Sequence, residues 1–340
     1  MPKSAALSHL VSILVPFKNT AAFFTACLES ILEQSYGHFE VIAVDDHSLD
    51  GSLHIATEYA QKDNRIQVYP NRGQGIIPAL RTAHANCTGI LVTRMDADDI
   101  MMPNRLEVMV NALTKKGLGH LAVGQVRYFS DIGIGNGYKR YEKWLNGLTA
   151  KGTNYTEIYK ECVVPSPCWM AYRDDLQKCG AFDPDQYPED YDLAFRFYEH
   201  QLKVIPCAQV LHLWRDHATR SSRTQENYAQ NYFLDIKLHY FLRLDYHPKQ
   251  TLVVWGAGFK GKCIAKRLWE RGIDFDWVCD NPNKIGKKIY GKPMAHFSSL
   301  ASLQQPQSII TVANTIAQQY IKGYLYRLGH RPMKDFFFFC

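Results

Sequence analysis

The sequence predicts an α/β protein built on a mostly parallel sheet with helices on both faces, followed by a second, smaller α/β unit. Three observations lead there. Short apolar runs alternate with amphipathic stretches of helical period from Leu10 onward. Polar clusters follow the runs that end at Val15, Val44 and Thr93. Near Leu252 the alternation restarts, with a glycine-rich turn between strand and helix. Strands that alternate with helices form parallel sheets, whose ligands bind beyond the carboxyl ends of the strands. The three polar clusters are therefore expected along one edge.

In order, Leu10 to Val15 reads as a strand ending at Pro16, and Ala21 to Gln34 as a helix with Phe24, Leu28, Ile31 and Leu32 on one face. Phe39 to Val44 is the next strand. It runs into the turn formers Asp45 to Gly51 and then a helix from Leu53 to Ala60. Ile66 to Tyr69, the helical Ile76 to Ala85 and Ile90 to Thr93 repeat the pattern. Between Ser130 and Pro165 the sequence turns rich in Gly and Tyr and reads as a long irregular region beside a cleft. Ser166 to Tyr172 is a strand, Asp174 to Cys179 a short helix closed by Gly180, and Pro188 precedes a helix reaching about His200 with Leu193, Ala194 and Phe197 inward. Tyr228 to Tyr246 reads as an aromatic helix packing on the first unit.

A chain of 340 residues exceeds one ordinary domain of about 100–200 residues. Two units are expected, 1–247 and 248–340. With 46% hydrophobic and 21% charged residues, the composition excludes a disordered or fibrous chain. The net charge of +6 suits an anionic partner but is too scattered for nucleic acid. Nine cysteines without a Cys-x-x-Cys pair argue against a disulfide framework or a zinc site and point to a reducing cytosol. The stretch Met1 to Val15 is not built as a signal peptide, and no apolar run approaches the ~20 residues of a membrane helix. The expected location is cytoplasmic, with peripheral contact at the inner membrane face left open.

The acids carry the chemistry. Asp96 and Asp98 follow a strand, and carboxylates at i and i+2 suit Mg²⁺ or Mn²⁺, which would neutralise charge on a departing diphosphate. An isolated Asp-x-Asp is equally a solvated turn. Asp45 and Asp46 are equally caps for the helix after Gly51. Glu189 and Asp190 open a helix, where acids complement the dipole, and Asp192 belongs to that simpler reading because it does not share a face with Asp190.

Taken together, Val11 to Asn19, Val44 to Ser52, Met95 to Pro103 and Glu189 to Leu193 resemble the family 2 glycosyltransferases of GT-A fold, in order and spacing, over about Val11 to Arg220. The resemblance implies transfer of a sugar, with inversion, from a nucleotide-diphosphate donor, usually UDP-linked, to a hydroxyl of a glycan or glycolipid acceptor in polysaccharide synthesis. It implies that Pro16, Phe17 and Asn19 line the nucleotide pocket, that Asp46 meets the uracil and Asp96 the ribose, and that Asp98 reaches a divalent metal. Asp190 matches the general base, with Glu189 orienting it or contacting acceptor. His217 is expected near the metal or diphosphate, Arg72 near the nucleotide, and Arg215, Arg220 and Arg223 more weakly as phosphate contacts.

In the second unit, a strand Leu252 to Trp255, a helix Lys262 to Arg271, a strand Phe275 to Cys279 and apolar segments at Ile309 to Val312 and Ile316 to Leu328 surround Gly256, Gly258 and Gly261, with Asp280 ending the second strand. That is the context of a dinucleotide fingerprint, so NAD(P) and an oxidoreductase form the alternative reading. A noncatalytic sugar-nucleotide-binding module is a third. The glycines equally serve tight strand-helix packing without any ligand. Phe336 to Phe339, preceded by Lys322, Arg327, Arg331 and Lys334, reads as an exposed apolar tail for membrane contact, or else as core or a homo-oligomer contact.

Overall fold

The computed structural model describes residues 9–220, 223 and 233–340; the expected helical start at 228–232 and the residues before His9 lie outside these. The chain divides into two compact units. The first takes in 9–154 and 163–223, the second 155–162 and 233–340.

The sheet of the first unit contains β1 (Val11–Phe17), β2 (Phe39–Asp45), β3 (Ile66–Pro70), β4 (Leu91–Arg94), β5 (Ile100–Met101), β6 (His120–Phe129), β7 (Trp169–Tyr172) and β8 (Lys203–Arg215). Their order is β3-β2-β1-β4-β7-β6-β8-β5. The first four are mutually parallel, β7 runs antiparallel to β4 and β6, and β6 is parallel to β8. β1 and β2 are buried along their whole length, as strands covered by helices on both faces must be. Around them lie α1 (Ala21–Leu32), α2 (Ser52–Lys62), α3 (Ile76–Asn86), α4 (Arg105–Lys116), α5 (Asn136–Lys151), α6 (Arg173–Lys178) and α7 (Glu189–Glu199).

Pro16 does not end β1, which runs on to Phe17. The Leu14 carbonyl accepts from Met95 N and β4 stops pairing at Leu14↔Arg94, so Pro16, two residues on, turns its missing N–H toward a side with no strand left to bond. The irregular region expected between Ser130 and Pro165 is a second correction, because α5 occupies its centre. Tyr138, Tyr141 and Leu145 recur at helical spacing and pack toward the core, while Gly135, Gly137 and Gly147 disguise the pattern. Gly152, at φ 64°, supplies the left-handed residue that closes the helix.

The second unit holds β9 (Leu252–Trp255), β10 (Asp276–Cys279), β11 (Lys288–Ile289), β12 (Lys292–His296), β13 (Gln307–Ile310) and β14 (Phe336–Phe338), in the order β11-β12-β10-β9-β13-β14. All but β11 are parallel, and the sheet is wound outward in both directions from β9, the doubly wound arrangement of dinucleotide-type folds.

Of the two readings of the tail, the structure matches the one that places it in the core of this unit. The tail is not exposed: Phe336, Phe337 and Phe339 are buried, with Phe339 stacked on Tyr159 at 5.3 Å and Phe337 edge-on to Phe241 at 4.9 Å. As β14 it completes the sheet beside β13. The boundary expected at 247/248 also falls inside this unit, because the helix Leu234–Leu244 turns Phe241 onto the same aromatic cluster and buried Lys237 Nζ donates to the Lys160 carbonyl at 2.6 Å. No described helix is long and apolar enough to cross a membrane. All nine cysteines are free.

Candidate active site

The loops at the carboxyl ends of β1, β2 and β3 are knitted together by side chains. Asp46 is buried; its Oδ1 accepts from Asn71 Nδ2 at 2.6 Å and Gly75 N at 2.8 Å, and its Oδ2 from Lys18 Nζ at 3.1 Å. Asn19 donates its backbone N–H to Ser48 Oγ and accepts from Leu49 N. The capping left open for Asp45 and Asp46 is performed by Asp50, which accepts from Ser52 N and from Ala21 N and so serves the starts of both α2 and α1. Phe17 turns its ring into the core against Phe24, which leaves the Pro16–Phe17 stretch only backbone to offer a ligand. Arg72 is exposed beside this cluster.

Beyond the end of β4 the acids of two distant segments meet. Arg94 is buried; its Nε lies 2.9 Å from Asp96 Oδ1 and its Nη1 3.0 Å from Glu189 Oε1. Burial works against the guanidinium charge, but Asp96, Glu189 and Asp190 outweigh it and hold the Arg94 pKa above its ordinary value. Asp190, at the start of α7, accepts from Tyr191 N at 2.8 Å, and its second oxygen makes no hydrogen bond to a described residue. Burial first, and the Glu189 carboxylate second, push the Asp190 carboxyl up to about 7. Asp192 pairs with Arg196 one turn on, in keeping with a structural role.

Asp98 Oδ2 stands 2.9 Å from His217 Nε2, the two side chains being 19% and 17% exposed and hence open to a ligand. Arg215 donates from Nε to the Asp98 carbonyl and lies over Phe23 and Phe129. Asp99 is turned inward, where His212 Nε2 meets its Oδ2 at 2.8 Å and Arg105 Nη1 meets His212 Nδ1 at 3.1 Å. Arginine only donates, so Nδ1 accepts and Nε2 carries the proton given to Asp99. Burial, with Arg105 and Arg220 nearby, holds His212 well below its usual pKa and so neutral. This chain pins the acidic turn to β8 and α4. Arg223 is committed to Asp216 through two hydrogen bonds, which weakens its expected role as a phosphate contact.

Among the described residues no three metal-ligating side chains converge, so a cation would need oxygens from the substrate as well. A carboxylate beside an imidazole, both reachable from solvent, is a donor pair that fits such an ion. In the second unit, a Cβ on Gly261 would fall 2.0 Å from the Gly256 carbonyl, and one on Gly256, at φ 123°, 2.5 Å from Thr311 Oγ1. Packing thus accounts for both glycines, whereas Gly258 faces open space and Asp280 is exposed. A cavity of about 390 Å³ in that unit is lined by Gln250, Pro306, His330 and Lys334 at the amino ends of its strands, the edge opposite the one where such sheets bind ligands.

Comparisons with known proteins bear on the first unit. The family described as Glycosyl transferase family 2 matches residues 12–180. WfgD of Escherichia coli, a UDP-Glc:alpha-D-GlcNAc-diphosphoundecaprenol beta-1,3-glucosyltransferase, is 30% identical over 231 residues, covering 67% of this chain and 83% of WfgD. EpsE of Bacillus subtilis, a putative glycosyltransferase by name, is 28% identical over 64% of this chain and 77% of its own. GlyG of Streptococcus pneumoniae is 33% identical, but the match spans only 39% of this chain and 40% of GlyG. Among solved structures, S. aureus TarS in complex with UDP-GlcNAc superposes with a TM-score of 0.54 at 18% identity, over 70% of this chain and 68% of that one, a likeness of fold that identifies the sheet as GT-A. With its motifs in order at the carboxyl edge of that sheet and WfgD matched over most of its length, the chain belongs to glycosyl transferase family 2.

Proposed function

We propose that the protein transfers a sugar, with inversion, from a UDP-linked donor to a hydroxyl of a glycan or glycolipid acceptor. The observation that carries this reading is Asp190, a carboxylate with one oxygen that no described residue engages, raised to about 7, at the same sheet edge as the Asp96–Asp98 turn. The name of WfgD supports a UDP-sugar donor and a lipid-linked glycan acceptor, and the ligand of the TarS complex is in keeping with a UDP-sugar donor.

In this reading Asp190 accepts the acceptor hydroxyl proton as the acceptor oxygen bonds to the anomeric carbon and the bond from that carbon to the diphosphate oxygen breaks on the opposite face. The nucleotide leaves as UDP. Asp46 and the backbone of Pro16, Phe17 and Asn19 hold the base, Arg72 reaches the nucleotide and Asp96 the ribose. Asp98 and His217 would hold Mn²⁺ or Mg²⁺, whose charge offsets that of the leaving diphosphate. The test is a panel of UDP- and GDP-sugars with Mn²⁺ and short glycan or polyprenyl-diphosphate acceptors, read by nucleotide release and by the anomeric configuration of the product. No turnover of any UDP-sugar, or retention of configuration, would defeat the proposal.

A further inference from the structure

Arg94 lies at the end of a central strand, is 6% exposed, and divides its guanidinium between a carboxylate two residues away and one 95 positions along the chain. Its own carbonyl accepts from buried Arg105 Nη2 at 2.9 Å, so the backbone from which the side chain springs is fixed. No local feature of the sequence calls for this arrangement. We propose that Arg94 is a positioning residue of the transfer, whose fork holds the start of α7, and with it the Asp190 carboxylate, against the Asp96 turn.

The chemistry follows from the charges present. Asp190 faces Glu189 on its own helix, Arg94 from β4 and Asp96 from the turn beyond it. Burial, Glu189 and Asp96 raise the Asp190 carboxyl while Arg94 lowers it, so removal of Arg94 leaves the raising effects less opposed. Without Arg94, Asp190 is held further toward its protonated form. Loss of Arg94 therefore disables the base in two ways, by releasing the helix start and by neutralising the carboxylate. Lysine replaces the charge but not the fork, because a single ammonium does not reproduce the planar, two-sided pairing.

The role rests on the transferase reading, and the experiment separates the two. Wild type, Arg94→Met, Arg94→Lys and Glu189→Gln are compared by kcat and KM across pH with whichever UDP-sugar the wild type turns over, and by calorimetric binding of UDP alone. Arg94→Met is expected to lower kcat by about 10–100-fold with UDP affinity little changed, and to move the acid limb of the profile upward by about one pH unit or more. Arg94→Lys should keep the limb near its wild-type position while losing part of kcat. Glu189→Gln removes a like charge and should move the limb downward, a result that stands even if Arg94→Met fails to fold. A folded Arg94→Met with wild-type kcat and an unmoved limb, or an unmoved limb in Glu189→Gln, overturns the role of Arg94 alone. A wild-type chain that turns over no UDP-sugar overturns the underlying reading and the inference with it.

Discussion

With Asp190 in its proposed role as base, the ionisation of that carboxyl sets the pH at which this protein should work. Its carboxyl is pushed up to about 7, by burial first and by Glu189 second, and the form that accepts a proton is the ionised one. Activity must therefore be lost on the acid side and gained as pH rises. For a single group near 7 the ionised fraction is roughly a tenth at pH 6, half at pH 7 and nine tenths at pH 8, so kcat/KM should climb about tenfold over that span. An ordinary exposed aspartate would be fully ionised throughout it. The assay is nucleotide release at saturating acceptor and low donor, in buffers of constant ionic strength from about pH 5.5 to 8.5. Asp190→Asn keeps the side chain's shape and removes the base, and should cut turnover by at least about 10²-fold while abolishing the limb. A wild-type profile flat between pH 6 and 8, or a limb that persists at full rate in Asp190→Asn, would refute the assignment.

Other substitutions probe separate parts of the molecule. Asp98→Ala removes a part-exposed carboxylate and no packing, so transfer should vanish while the melting temperature holds; full activity in this variant, or in wild type with excess chelator, would count against the metal. Gly261→Ala forces a methyl group to within 2.0 Å of the Gly256 carbonyl, and overpacking of this kind costs about 1–3 kcal/mol or more; an unchanged melting profile would show that the turn relaxes freely. Phe337→Ala empties a fully buried site and should destabilise the second unit by about 3–5 kcal/mol. Its sedimentation with anionic liposomes should match that of wild type, and selective loss of liposome binding without loss of stability would restore the membrane reading of the tail.

The parts of the fold legible in the sequence were those with strong local periodicity. β1, β2 and β9 are buried throughout, and apart from Ser12, Glu40 and Asp45 their residues are apolar because both faces are covered; α1 and α3 show clean helical stripes. α5 is hard to read from the sequence because its glycines and half-buried aromatics blur the stripe that Tyr138, Tyr141 and Leu145 form. In the candidate site, residues standing directly after strands could be read from their position in the βα alternation. Side chains whose partners lie far along the chain could not. Arg94 before an acidic turn looks like a solvated charge until the fold brings Glu189 to it, and His212, a lone histidine in the sequence, becomes the link between Asp99 and Arg105 through pairings more than 100 residues apart. Likewise Asp45, Asp46 and Asp50 are equivalent as caps by composition, and only the approach of Ala21 to Ser52 selects Asp50.

The segment 155–162 belongs to the second unit although the chain on either side of it, 9–154 and 163–223, belongs to the first. The second unit is therefore discontinuous, and the ring of Tyr159 is in place between Phe241, Phe337 and Phe339 only once β14 has been added. During synthesis this short stretch emerges long before its partners, and such non-local closure is slow compared with the formation of neighbouring helices. A chain cut near residue 247 would leave Tyr159 and its neighbours as exposed apolar surface rather than as a clean terminus. In the intact protein the amides of 155–162 should exchange with solvent in step with β13 and β14, not with α5 just before them, since cooperative opening follows shared packing and not adjacency in sequence.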